Sequence, residues 1–241
     1  MGSSFPPTRY SVIAGVGSSD PALRRVAWNA LVQAYWRPLY KYARLKWRHP
    51  REDAEDLTQS FFARALEKSF FDGYDPGKAR FRTFLRVCFD GFAANEWKAA
   101  HRLKRGGGET PLSLDFVSAE GELRGLEIED PRDLEAYFQS EWVRGLFASA
   151  VGALREECRS AGKLLHYEAF ARYDIDPPPE GRPSYEQLGR DLGLPASQVT
   201  NYLAWARRRF RAIVLDELRA LTATDEEFRA EARTILGVDP G

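Results

Sequence analysis

Apolar residues recur along this chain at the three- and four-residue spacing of helices, and no stretch alternates with period two. Asp20 and Pro21 make a helix start, an acceptor side chain at the cap followed by a ring preset for the first turn. Leu23, Val26, Ala27, Ala30, Leu31 and Ala34 then predict a helix to about Trp36, which Pro38 interrupts. Leu39, Tyr42, Ala43 and Trp47 carry a second segment. After Pro50, a third helix is marked by Ala54, Leu57, Phe61, Ala65 and Leu66. The breakers Gly73, Pro76 and Gly77 predict a loop over Phe71 to Arg82. Phe84, Leu85, Cys88, Phe92 and Trp97 give the next helix its apolar side, and Gly106 to Gly108 close this group with a hinge. Periodicity resumes beyond Pro131 with Trp142, Leu146, Phe147, Ala150 and Leu154. It continues with Leu164, Leu165, Tyr167 and Phe170, until a proline-rich loop over Asp174 to Pro183. The pattern predicts an all-α protein without internal repeats.

Ser184 and Gln187 frame a capping box that opens a further helix with Leu188 and Leu192 on its buried side. Gly193 supplies a tight turn, and Leu194-Pro195 leads into a helix with Val199, Leu203, Ala206 and Phe210 inside. Two helices joined by a short glycine turn, the second ending in arginines, have the form of a helix-turn-helix. Its outward positions are Gln198, Thr200, Asn201, Trp205 and Arg208, side chains suited to base edges and phosphates. A plain helical hairpin with a basic solvated face has the same pattern. In the tail, Phe228, Ala232, Ile235 and Leu236 predict one more amphipathic helix, fit to cover the C-terminal module or to meet a regulator.

Composition and charge narrow the function. The chain has 241 residues with 44% apolar and 29% charged, a globular balance, and formal net charge zero, unlike a protein that coats nucleic acid. The distribution matters more. Lys98, Arg102, Lys104 and Arg105 cluster ahead of a stretch, Asp115 to Glu141, with nine acidic residues against two arginines, and Arg207 to Arg209 with Arg211 cluster beyond it. Two nucleic-acid-facing modules joined by a segment that avoids nucleic acid would be charged this way. Cys88 and Cys158 stand far apart, and His49, His101 and His166 are scattered. Neither a disulfide framework, a metal site nor a cofactor is expected, and a reducing cytoplasm fits. No apolar run approaches a membrane span, and no phosphate-cradling loop with lysine is present, so an enzyme is not expected.

One helix is more specific. Asp53-Ala54-Glu55-Asp56-Leu57-Thr58-Gln59-Ser60-Phe61-Phe62 resembles the polymerase-binding helix of bacterial RNA polymerase sigma factors of the extracytoplasmic-function type. Tyr35 to Tyr40 is similar to the segment preceding it, and Gly77 to Leu85 to the loop and helix used on the melted promoter. The helix-turn-helix from Ser184 to Arg209 resembles the family's C-terminal promoter-binding module. The chain departs from the family where Phe89-Asp90-Gly91-Phe92 stands in place of a common Arg-Asn pair, with Asn95 a turn later.

The resemblance implies two small helical domains, one like sigma region 2 and one like region 4 with its helix-turn-helix, joined by a flexible acidic linker. The divisions fall at a leader 1–19, a first domain 20–105, a linker 106–133, a second domain 134–220 and a helical tail 221–241. The leader, Phe5-Pro6-Pro7-Thr8-Arg9-Tyr10, is similar to one found in some members. Asp53, Glu55, Asp56 and Gln59 would dock on the polymerase core, whose implied contacts are the beta-prime clamp and the beta flap. A solvated acidic helix start favoured by the macrodipole has the same composition. Tyr74, Lys78, Arg80, Arg82, Asn95, Lys98 and Arg102 would hold the melted minus-ten strand, with Tyr74 suited equally to stacking on a base or to packing. Gln198, Thr200, Asn201, Trp205 and Arg208 would read the minus-thirty-five element, and the acidic linker would thread polymerase channels that later hold RNA. The implied partners are polymerase core, promoter DNA and an anti-sigma factor or other regulator. Hydroxyls near the polymerase-facing helix, Thr58 among them, are open to modification. The alternative is an autonomous helix-turn-helix regulator acting without polymerase.

Overall fold

The computed structural model describes residues 11–68, 70–100, 114–123 and 131–239. It is all-helical, with no strand among the described residues. The chain divides into two compact units, one running to Gly145 and resuming at Leu218, the other comprising Leu146–Glu217.

The first unit is built around α2 (Pro21–Lys46), which follows the short α1 (Val12–Val16). Asp20 caps it as its sequence requires, its carboxylate accepting the Ala22 N–H at 2.8 Å. The expected break at Pro38 does not occur. A proline inside a helix loses one hydrogen bond and crowds the preceding turn, but Trp36, Leu39 and Tyr40 on either side of Pro38 are all buried, and their packing carries the helix through. Close approach also fixes α1, because a Cβ at Gly15 would sit 2.7 Å from the Ala27 Cβ.

Helices α3 (Arg51–Glu67) and α4 (Phe81–Ala100) complete the core, with a 3-10 turn at Phe70–Gly73 between them. Phe61 lies edge-on to Phe89 with ring centres 5.1 Å apart, Trp28 meets Phe62 at 6.1 Å, and Tyr35 meets Phe81 at 5.8 Å. Burial of such rings is the main stabilising contribution here, with edge-to-face geometry adding about 1 kcal/mol per pair.

Three elements expected elsewhere join this unit. The acidic linker contains α5 (Phe116–Gly121), capped by Asp115, with Phe116 inserted 5.2 Å from Trp36 and 4.9 Å from Tyr40. A six-residue helix is too short to show a period, which is why the segment reads as irregular. Two acids of this segment are paired: Glu120 binds Arg44 and Tyr40, and Glu122, just past α5, binds Arg37 and Lys41. The first half of α6 (Pro131–Ser160) also packs here through Phe138 and Trp142, so residues 134–145 belong to the first unit and not to the second domain. Finally, α10 (Asp225–Leu236) buries Phe228 and Ala232 in this unit. The tail helix is present, and it packs within the first unit.

The second unit holds the rest of α6, then α7 (Leu164–Phe170), a π-type turn at Ala171–Ile175, α8 (Tyr185–Leu192) and α9 (Ala196–Ala220) as far as Glu217. Leu154, Phe170, Leu188, Val199, Leu203 and Val214 form its core. Arg209 to Glu157 and Arg207 to Asp174 tie its helices at the rim.

Candidate functional site

Helix α3 presents its acids outward. Asp53 and Asp56, three residues apart on one face, are exposed, and Gln59 continues that face half-buried. Ala54, Thr58, Phe61 and Phe62 turn inward and anchor the helix on the core. Glu55 differs from its neighbours, since it accepts from Arg51 Nε at 2.6 Å on the helix's own surface. Thr58 is fully buried, its hydroxyl donating to the Ala54 carbonyl at 2.7 Å, so it is not an accessible site for modification.

The loop between the 3-10 turn and α4 gathers several expected nucleic-acid residues. Tyr74 is half-buried, its ring 5.1 Å from Phe81 and 5.2 Å from Phe84, and its hydroxyl donates to the Ala79 carbonyl at 3.1 Å. It therefore acts as a packing aromatic in this conformation. Lys78 is exposed, with Asp75 at 3.4 Å. Arg80 and Arg82 converge on one carboxylate, Glu231 of α10, at 3.2 and 2.7 Å, and Arg82 also lies 4.7 Å from the centre of the Trp142 ring. Asn95 is exposed further along α4; the Lys98 side chain and Arg102 lie outside the described residues, as do the hinge glycines 106–108 and the leader at Phe5 to Tyr10.

The Arg82–Glu231 pair is buried, with side-chain exposures of 7% and 2%. Burial pulls the guanidinium below its ordinary value and pushes the carboxyl above its own, so loss of hydration outweighs mutual attraction at both ends. Such a pair adds little net stability. Glu231 and its neighbour Glu227 were not foreseen as part of any site. Their four-residue spacing on an amphipathic tail helix was the available signal, but nothing local says what that face meets.

In the second unit, α8 and α9 meet across a three-residue turn in which Gly193 adopts φ +68°, open to glycine at no steric cost. Gly189 sets the approach, since a Cβ there would lie 2.5 Å from the Leu194 carbonyl oxygen. The Ser184 hydroxyl accepts the Gln187 N–H at 3.2 Å, one half of the capping box. Gln198, Thr200, Asn201 and Arg208 are exposed along α9. Trp205 is half-buried, with Lys163 Nζ 4.6 Å from its ring centre and His166 packed edge-on at 5.1 Å. His166 also stacks on Tyr202 at 3.7 Å, and burial, helped by Lys163, lowers its pKa.

Residues 31–103 match the family model described as sigma-70 region 2. That stretch is similar to a sigma-70 region 2. The match spans less than a third of the chain, and it takes in α3, the Tyr74 loop and α4 but not the second unit. No curated protein and no solved structure matches the chain. The likeness is to a region of sigma factors, whose family acts in transcription initiation with polymerase core and promoter DNA, and it is confined to those residues. No helix among the described residues is long and apolar enough to cross a membrane, and no group of three or more histidine, cysteine or acidic side chains among them is placed to hold a metal ion.

Proposed function

We propose that the protein is a bacterial sigma factor of the extracytoplasmic-function type, acting in the cytoplasm. In this reading, Asp53, Asp56 and Gln59 on the exposed face of α3 dock on the clamp of polymerase core. The loop at Tyr74, Lys78, Arg80 and Arg82, with Asn95, Lys98 and Arg102 on and beyond α4, holds the melted minus-ten strand. Gln198, Thr200, Asn201, Trp205 and Arg208 on α9 read the minus-thirty-five element, and no covalent chemistry is assigned to the chain.

The observation that carries this reading is the sigma-70 region 2 match over the helix on which Asp53 and Asp56 are exposed. The second module rests on geometry: a close α8–α9 crossing at Gly189, a left-handed glycine in the turn, and polar residues outward on the following helix. That is the arrangement by which a recognition helix enters a major groove. The acids of α5 pair with α2, so the RNA-mimicking role implied for the linker is not carried over to them.

Binding to purified bacterial core polymerase, measured by co-elution on size exclusion, tests the reading. A stable complex with the intact chain, lost for Asp53→Ala/Asp56→Ala with unchanged circular dichroism, is the expected result. Absence of any complex, together with specific binding to duplex DNA, would replace it with an autonomous helix-turn-helix regulator.

A further inference from the structure

Three of the groups that the proposed function assigns to the melted strand, Tyr74, Arg80 and Arg82, are already engaged from within the chain. Glu227 and Glu231 lie four residues apart on α10 and so share one face. Glu227 accepts the Phe81 N–H at the start of α4 at 2.8 Å and the Tyr74 hydroxyl at 3.4 Å, while Glu231 takes Arg82 at 2.7 Å and Arg80 at 3.2 Å. An amide at the first turn of a twenty-residue helix, flanked by two guanidinium groups, is a place where an anionic phosphate oxygen binds well. The two carboxylates hold it instead. We infer that α10 is a displaceable cap that competes with single-stranded DNA for the Tyr74 loop. The inference rests on the reading of that loop as the strand-binding element.

Three further observations bear on how readily the cap leaves. The apolar anchor of α10 is small, since of its twelve residues only Phe228 and Ala232 are buried apolar side chains. The buried pair beneath it opposes its own desolvation at both ends, so exchanging the Glu231 carboxylate for a phosphate, or returning both charges to water, loses little. The Arg82 Nε is buried without a hydrogen-bond partner among the described residues, a donor the carboxylate leaves unused and a larger anion with more acceptor oxygens would satisfy. Once undocked, a helix of twelve residues is barely stable alone, so release and local unfolding accompany one another.

The experiment uses the full chain and fluorescence anisotropy of a labelled single-stranded oligonucleotide of mixed sequence. Glu227→Gln/Glu231→Gln weakens the cap, and Asp216→Asn/Glu226→Gln removes the same charge from exposed positions that do not touch the loop. The cap-weakened chain should bind roughly tenfold more tightly than the control, as expected when a closed state that excludes ligand is depopulated. Adding Arg80→Ala should abolish the gain. Equal affinity of the two chains, with Arg80→Ala still lowering it, overturns the cap and leaves the loop assignment standing. Affinity indifferent to Arg80 in every background overturns the loop assignment and the cap with it. Should the substituted chain fail to fold, hydrogen exchange on the unaltered chain gives the answer. Amides of 225–236 should exchange faster when the oligonucleotide is saturating, and unchanged protection with the oligonucleotide bound overturns the cap.

Discussion

Lys41 and Glu141 stand 100 residues apart in the chain and meet in an ion pair closed off from water, with side-chain exposures of 0% and 1%. Glu122 supplies a second carboxylate to the same ammonium. The pair joins α2 to α6 within the first unit, so a segment expected to tether two modules is fastened to one of them. Removing Lys41 leaves the buried Glu141 with Arg144, whose side chain is 64% exposed, as its remaining ion-pair partner. Lys41→Met should cost about 3–5 kcal/mol in urea denaturation, and Lys41→Met/Glu141→Leu should recover most of it, because a well-packed apolar pair replaces the ions at little net loss. Equal cost for the single and double variants would show that packing, not charge, dominates.

The α5 docking should depend on pH. Hydrogen bonds from Arg44, then from Tyr40, hold the Glu120 carboxyl below its ordinary 4.5. A depressed native value means that Glu120 contributes stability at neutral pH, in full above about its unfolded value, and loses it as pH falls through the native one. Glu120→Gln should therefore lower the urea midpoint at pH 7, and the gap from the parent should close progressively on acidification below about pH 4.5. A gap that stays constant with pH would show that Glu120 contributes through shape alone.

Arg48, at the turn between α2 and α3, is exposed and adopts φ 52°, a left-handed conformation that side-chain-bearing residues resist. Arg48→Gly should relieve a cost of about 1 kcal/mol and raise the urea midpoint. A lowered midpoint would mean that the arginine side chain contributes more than the strain removes.

Gly189→Val should damage the second module selectively. Its Cβ would meet the Leu194 carbonyl at 2.5 Å, a backbone atom that cannot rotate away, and overpacking of this kind costs about 1–3 kcal/mol. Duplex promoter binding should fall while association with core polymerase, placed on α3, persists. Loss of both together would argue that the second unit also carries the polymerase contact.

Much of the fold was legible because it is local. The Asp20 cap, the α3 stripe of Ala54 and Phe61, the Ser184 cap and the Gly193 turn all depend on residues within one or two turns of each other. What was not legible is long-range. Pro38 reads as a break because its own neighbours do not reveal that the core closes over it on both sides. The α10 period was visible, yet its docking on Tyr74 and Arg82 depends on residues some 150 positions upstream, with separations of 153 and 149. Glu120, Glu122 and Glu141 read as part of a solvated tether because charge composition does not show that Arg37, Lys41 and Arg44 stand opposite them. The exposed set at Asp53, Asp56, Gln198, Thr200, Asn201 and Arg208 lies where the sequence put it, on outward helix faces, and Trp205 is the member drawn inward by packing.

Run-off transcription with bacterial core polymerase tests the central claim most directly, using a promoter selected by the intact chain and comparing it with Asp53→Ala/Asp56→Ala of unchanged circular dichroism. A promoter-specific transcript that appears with the intact chain and falls by about tenfold or more with the variant is the expected result, since two contacts worth a little under 1 kcal/mol each multiply to that factor. A transcript equally strong with both chains would move the polymerase contact off α3. No specific transcript from any promoter, with the core polymerase active alongside another sigma factor, would contradict the sigma-factor account itself.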